Sequence, residues 1–171
     1  LSQWDGEISF RNKERVKWFL SNGQTPQHFI VYGGKGKGKT RLMVGVANEL
    51  AIRHFRSTYT TLAKWVSLLQ ESDDELSRSR ISLWKWTDSS FLLIDDINPG
   101  SPTEANKYSS ADVAAFVCRQ HEERNKRALA NMSVAWVVGS NREGDSVEQW
   151  KDLLRSFGLH DEQIHVLDLN E

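Results

Sequence analysis

Residues 33–40 read Gly-Gly-Lys-Gly-Lys-Gly-Lys-Thr, four glycines and three lysines in eight positions, directly after the apolar run His28–Tyr32. Gly33, Gly38, Lys39 and Thr40 fall on the fixed positions of G-x-x-x-x-G-K-[ST], a loop whose backbone amides wrap around phosphates. Glycine suits such a loop because a side chain would block close approach and some torsions are left-handed. The helix expected to follow adds a partial positive charge at its N-terminus. In this pattern Lys39 reaches the β- and γ-phosphates and the Thr40 hydroxyl sits on Mg2+. Lys35 and Lys37 fill variable positions, as solvated lysines or as extra charge for phosphate or a neighbouring chain. The bland alternative, a flexible Gly/Lys loop, is opposed by the strand-like run before it and the amphipathic run after it.

Two further stretches carry groups suited to the same chemistry. Phe91–Asn98 reads Phe-Leu-Leu-Ile-Asp-Asp-Ile-Asn, a buried-strand pattern that delivers two carboxylates at its C-terminal edge. In an open α/β sheet that edge is where ligands bind. Asp95 is expected to hold Mg2+ through water, and Asp96 to orient or deprotonate an attacking water. A strand-end aspartate can also simply cap a turn. Ser133–Asn141 is a third apolar run ending in polar residues. Asn141, with Ser140 before it, would position water against a γ-phosphate; the alternative is an asparagine bonded to its own backbone.

These groups need a scaffold, and the periodicity supplies one. Apolar or β-rich segments recur at His28–Tyr32, Ser57–Thr61, Phe91–Ile97, Ser133–Ser140 and Ile164–Leu169. The runs in 91–94 and 134–138 are continuous rather than alternating, which predicts strands covered on both faces. Between them lie helical patterns. Residues 40–55 place Leu42, Val46 and Leu50, with Ala47 and Ala51, on one stripe. Residues 62–70 do the same with Leu62, Trp65, Val66 and Leu69. Residues 111–128 begin apolar and become highly charged. Arg11–Leu20 reads as a short helix with Val16 and Phe19 inward. The expectation is one domain over 1–171, a three-layer α/β fold around a parallel five-stranded sheet, with 1–26 a helical lead-in and 27–171 the core. Residues 71–80 are polar and charged, and 98–110, with Pro99 and Pro102, read as an exposed loop.

Composition narrows the class. With 39% hydrophobic and 26% charged residues the chain can bury a core under an ordinary polar surface. No apolar run approaches 18 residues, so no membrane span is expected, and the first residues lack the pattern of a signal peptide. The chain begins without Met, as a fragment would. A lone Cys118 forms no internal disulfide, which favours a reducing, cytoplasmic setting. The net charge of −1 announces no nucleic-acid binding, so any such site must be a local patch. The five histidines, at 28, 54, 121, 160 and 165, lack metal-ligand spacing. There is no G-x-S-x-G, and Cys118 falls in an apolar helical pattern, so nucleophilic catalysis finds no support.

Taken together, the segments resemble an AAA+ ATPase, and within that group the clade of bacterial replication initiators, helicase loaders and transposition helpers (DnaA-, DnaC- and IstB-like). Residues 28–50 are similar to that clade's first strand, nucleotide loop and helix. Residues 57–70 resemble its second strand and helix, 91–98 its Asp-Asp Walker B strand, 139–141 its sensor-1 turn, and 153–159 with 164–169 its arginine-bearing box and last strand. The likeness covers roughly residues 27–171. It implies that Gly33, Gly34, Lys35, Gly36, Lys37, Gly38, Lys39, Thr40 and Arg41 contact ATP. It implies that Thr40 and Asp95 serve Mg2+, that Asp96 and Asn141 act on water, and that Arg155 is an arginine finger reaching ATP in the next subunit of a homo-oligomer. The plain alternative for Arg155 is a surface arginine after an amphipathic helix. Relatives continue into a helical lid, whereas this sequence ends at Asn170-Glu171 after the last expected strand; either the lid was cut away or the protein lacks it, and without a lid turnover is expected to be weak. Residues 71–90 map to an element that touches single-stranded DNA or a partner in relatives. Here Arg78, Arg80, Lys85, Trp84 and Trp86 offer stacking and charge; Asp73, Asp74 and Glu75 beside them favour tryptophans packed on the sheet and solvated charges. Residues 119–127 read as a solvated face that also presents Arg124 or Arg127 to a neighbour.

The function implied is an ATP-controlled assembly switch in DNA replication, helicase loading or transposition, with single-stranded DNA or a helicase or transposase as partner and no membrane. The rival is an ATP-regulated protein remodeller or signalling module without DNA contact. A small-molecule kinase on the same loop fits less well, because Asp95-Asp96 with Asn141 suit attack by water.

Overall fold

A strand buried on both faces needs apolar side chains of both parities, and the chain meets that need in its central strands. A computed structural model describes residues 9–21, 25–71, 86–97, 122–139 and 146–170. The elements run α1 (Phe10–Ser21), β1 (His28–Gly33), α2 (Lys39–Ile52), β2 (Ser57–Thr61), α3 (Leu62–Glu71), a 3-10 turn at Trp86–Asp88, β3 (Phe91–Ile97), α4 (Glu122–Ala130), β4 (Ser133–Gly139), α5 (Ser146–Ser156), a 3-10 turn at Asp161–Gln163, and β5 (Ile164–Asp168). The five strands form one sheet in the order β2-β3-β4-β1-β5. Every pairing is parallel. This is the expected α/β architecture, and each strand begins at its expected residue.

Alternate side chains feed two cores. Phe29, Val31, Leu93 and Val137 join Val16 and Phe19 of α1 and Leu42, Val46 and Leu50 of α2 on one face. Ile30, Leu92, Ile94 and Trp136 join Leu62 and Trp65 of α3, Leu129 of α4 and Trp150 and Leu154 of α5 on the other. The expected stripe of α2 holds except at Ala51, which is exposed. The side chain of Leu69 lies outside the described residues. Four tryptophans interlock in the second core: Trp65 meets Trp86 and Trp136 edge to face at 5.7 and 5.8 Å, and Trp136 lies 5.7 Å from Trp150.

The helix α2 stops at Ile52 rather than running on through Phe55. His54 takes φ 66, donates its N–H to the Ala51 carbonyl, and lets the Phe55 N–H reach the Leu50 carbonyl at 3.0 Å. That is a Schellman close, with the Phe55 ring packed on the first core. At the edge of the sheet, α1 covers β5: Asn12 Nδ2 donates to the Asp168 carbonyl at 2.5 Å and Arg15 to the Val166 carbonyl at 2.6 Å. Edge carbonyls so engaged are closed to pairing with another strand. Among the described residues, no helix is long and apolar enough to cross a membrane.

Candidate functional site

The loop after β1 shows why glycines were spent there. Gly36 and Gly38 sit at φ 82 and 77, the left-handed region that other residues occupy only at a cost. Gly38 is the N-cap of α2 and makes no side-chain cap. The N-cap thus offers no side-chain acceptor to the first-turn amides of α2, and the helix dipole stands behind the loop's mouth. The loop is moored at its start, where Asn170 Oδ1 accepts the Gly34 N–H at 2.9 Å. A Cβ on Gly33 would come within 3.3 Å of the Leu169 Cβ, a tight approach that the neighbour would have to yield to.

Lys39, first residue of α2, turns back over the loop. Its Nζ donates to the Gly33 and Gly34 carbonyls at 2.6 and 2.9 Å. Burial lowers its pKa from the ordinary value, while the charge of Asp95 works in the opposite direction. The two groups thus lie near enough for their charges to interact, while the ammonium's own hydrogen bonds go to the loop. Lys35, Lys37 and Thr40 are exposed around the same loop. Arg41 follows in the first turn of α2 and is exposed, with interactions of its own.

Asp95 and Asp96 end β3 at the same edge of the sheet. Pairing of β3 with β4 is regular through Ile94–Trp136 and shifts before Ile97–Val138. The cause is a bulge: Asp96 takes φ 59, uncommon for a residue with a side chain. The extra residue lets Ile97 return to the face of Leu92 and Ile94. Asp95 keeps the parity of Leu93, the face that α2 covers, and is buried, whereas Asp96 is exposed. The Asp95 Oδ1 accepts the Asp96 N–H at 2.8 Å, and its Oδ2 accepts the Tyr59 hydroxyl at 3.2 Å. Burial and then the charges of Asp95 and Asp96 raise the Tyr59 pKa, which keeps the hydroxyl a donor. Strain concentrated at one non-glycine residue beside a phosphate-type loop is the pattern of a functional edge.

The other expected site residues divide sharply. Arg155, near the end of α5, is far from this edge. Its Nη1 bonds Asp152 at 2.6 Å and its Nε bonds Asp161 at 2.7 Å. Asp161 lies just before β5, so Arg155 stands at the N-terminal edge of the sheet, a strand length or roughly 15–20 Å from the loop. The structure brings together the loop, Lys39, Asp95 and Asp96, and leaves Arg155 apart from its own loop. Asn141 and Ser140 lie outside the described residues, as do 72–85, 98–121 and the side chain of Arg124. Of the candidate stacking residues, Trp86 packs into the core at 4% exposure, which removes it as a nucleic-acid platform. Arg127 is exposed at the end of α4. Tyr59 and Asn170 were missed by sequence reasoning; no spacing rule marks a tyrosine on one strand for an aspartate on the next.

A parallel sheet carrying a lysine-bearing glycine loop after β1 and paired carboxylates at the end of β3 is the layout of a phosphate-loop α/β domain. No family model matches the sequence, and no curated protein does. Solved structures do. The chain is similar to the DnaC helicase loader at TM-score 0.58 and 14% identity, over 95% of this chain and 92% of that one. It is similar to a DNA replication initiation factor at TM-score 0.57 and 21% identity, over 96% of this chain and 47% of that one. It is also similar to the replication initiator DnaA bound to AMPPCP and single-stranded DNA, at TM-score 0.54 and 20% identity, over 95% and 46%. The chain thus spans nearly all of the loader structure and about half of the initiator structures. At these identities, 14–21%, the likeness is one of fold.

Proposed function

We propose that this domain binds and hydrolyses ATP with Mg2+, and that the nucleotide state controls its assembly with further copies during DNA replication, in the manner of a helicase loader or initiator. The observation that carries the reading is the convergence at one sheet edge of left-handed Gly36 and Gly38, Lys39, a buried Asp95 and an exposed Asp96. The loop Gly33–Thr40 binds the phosphates through amides at its mouth, and Lys39 exchanges its carbonyl partners for phosphate oxygens, for which a cation is the better match. Thr40 and Asp95 offer a hydroxyl and a carboxylate, a hard-oxygen set suited to magnesium. When bound, magnesium would neutralise charge developing on the terminal phosphates. Asp96, solvent-facing, accepts a proton from the attacking water, and Asn141 helps to place that water. Arg155 acts in trans on the next copy's nucleotide, since roughly a strand length separates it from its own loop.

The structural relatives include an initiator holding AMPPCP and single-stranded DNA, which supports both the nucleotide and a DNA-linked role. The test is equilibrium binding of a fluorescent ATP analogue. Lys39→Ala is expected to weaken it at least tenfold, and undiminished binding by that variant would remove the phosphate site.

A further inference from the structure

We propose that Tyr59 is a positioning residue for the metal-side carboxylate: from the edge strand, its hydroxyl holds Asp95 in the orientation that receives a magnesium–nucleotide. The inference rests on the nucleotide reading of this site and assigns to it a residue from outside the phosphate loop and the Asp-Asp strand.

The bulge at Asp96 leaves Asp95 without a registered partner on β4. The Asp96 N–H holds one oxygen, but that contact is to the adjacent residue and follows whatever the strand end does. Rotation of the carboxylate about its own bond is fixed only by a second contact at the other oxygen, and Tyr59 makes it at 3.2 Å. Among the described residues it is the one side-chain donor to Asp95. The residue in register with Asp95 on β2 is Thr61. Its hydroxyl accepts the Lys64 N–H at 3.3 Å and is engaged at the start of α3. Tyr59 instead reaches along the sheet from the position opposite Leu93. Its ring is 49% exposed on the outermost strand, so core packing does not call for a tyrosine there. The placement makes sense for the hydroxyl. A carboxylate oxygen has two lone pairs, so Oδ2 can accept from Tyr59 and from a metal-bound water together. Partners that orient a metal's carboxylate in this way commonly matter about ten- to a hundredfold in metal affinity.

The experiment is a magnesium titration of fluorescent ATP-analogue binding to wild type and Tyr59→Phe, repeated in EDTA, with thermal unfolding of both proteins. Loss of the hydroxyl alone should raise the half-saturating magnesium concentration about tenfold. Nucleotide affinity in EDTA should not change, and the loss of one hydrogen bond should lower the unfolding midpoint by only about 2–4 °C. A superimposable magnesium curve would overturn the assignment, as would an equal loss of affinity in EDTA, which would mark a general disturbance of the loop. Wild type that binds no nucleotide in either condition overturns the nucleotide reading and this inference with it; binding with an unmoved magnesium curve overturns this inference alone.

Discussion

His28 opens β1 and is fully buried, and its environment makes stability depend on pH in one direction. Trp136 Nε1, which can only donate, points to His28 Nδ1 at 3.1 Å, while His28 Nε2 lies 3.0 Å from the Leu129 carbonyl. The ring is therefore a neutral tautomer with its proton on Nε2. Burial lowers its pKa from 6.5 to about 4, opposed in part by the Leu129 bond. Between those values the unfolded chain carries the proton and the folded chain does not. Stability from this group is thus present above pH 6.5 and is lost as pH falls toward 4. The full difference is about 3 kcal/mol, and by pH 4.5 about 2 kcal/mol of it should have gone. The perturbation is His28→Gln, which retains an amide donor and does not titrate. Urea unfolding of wild type and variant at pH 7.0 and 4.5 isolates the effect, because the carboxylates common to both cancel in the difference. The variant will be less stable at neutral pH, but its loss between the two pH values should be smaller than that of wild type by about 2 kcal/mol. Equal losses would refute a buried neutral imidazole in the core.

The remaining predictions are brief. Gly158 takes φ 88 and closes α5, with its N–H on the Arg155 carbonyl at 2.9 Å. Gly158→Ala should cost about 1–2 kcal/mol in chemical unfolding, because an L residue is strained there; an unchanged midpoint would contradict that conformation. Arg155→Ala should leave ATP-analogue affinity of the monomer unchanged, remove the ATP–Mg2+-dependent increase in size seen by light scattering, and lower ATPase by at least tenfold. Assembly and turnover equal to wild type would leave Arg155 as a surface ion pair with Asp152 and Asp161.

The layout of this domain was legible because its signals are local and repetitive. Continuous apolar runs marked β3 and β4 as strands covered twice, and the glycine–lysine loop announced itself by spacing alone. Val16 and Phe19 followed from helical period and are buried as expected. What escaped were contacts between distant parts of the chain. Asn170 on Gly34, Asn12 and Arg15 on the β5 carbonyls, and Tyr59 on Asp95 are side-chain contacts that leave no periodic trace. The early end of α2 was missed because histidine rather than glycine supplies the left-handed close. The tryptophans beside the charged segment were ambiguous for a different reason: aromatic and basic residues together suit either stacking on nucleic acid or packing on the sheet, and Trp86 packs into the core.

The bulge at Asp96 explains how two adjacent, chemically identical groups come to stand in different environments. In a regular strand, neighbouring side chains point to opposite faces. Asp96 would then replace an apolar side chain on the Trp65–Trp136 face, where an unpaired carboxylate is costly to bury. The left-handed turn of one residue lifts Asp96 into solvent and hands its place on that face to Ile97. Asp95 stays under α2, with a backbone amide and the Tyr59 hydroxyl on its two oxygens and the Lys39 charge close by. A buried carboxylate with fixed donors is suited to holding a position. One that is exposed on a strained hinge of backbone is suited to meeting water and taking up a proton. The same bulge therefore protects the core from a charge and gives the two carboxylates opposite environments, the division that the proposed metal and water roles require.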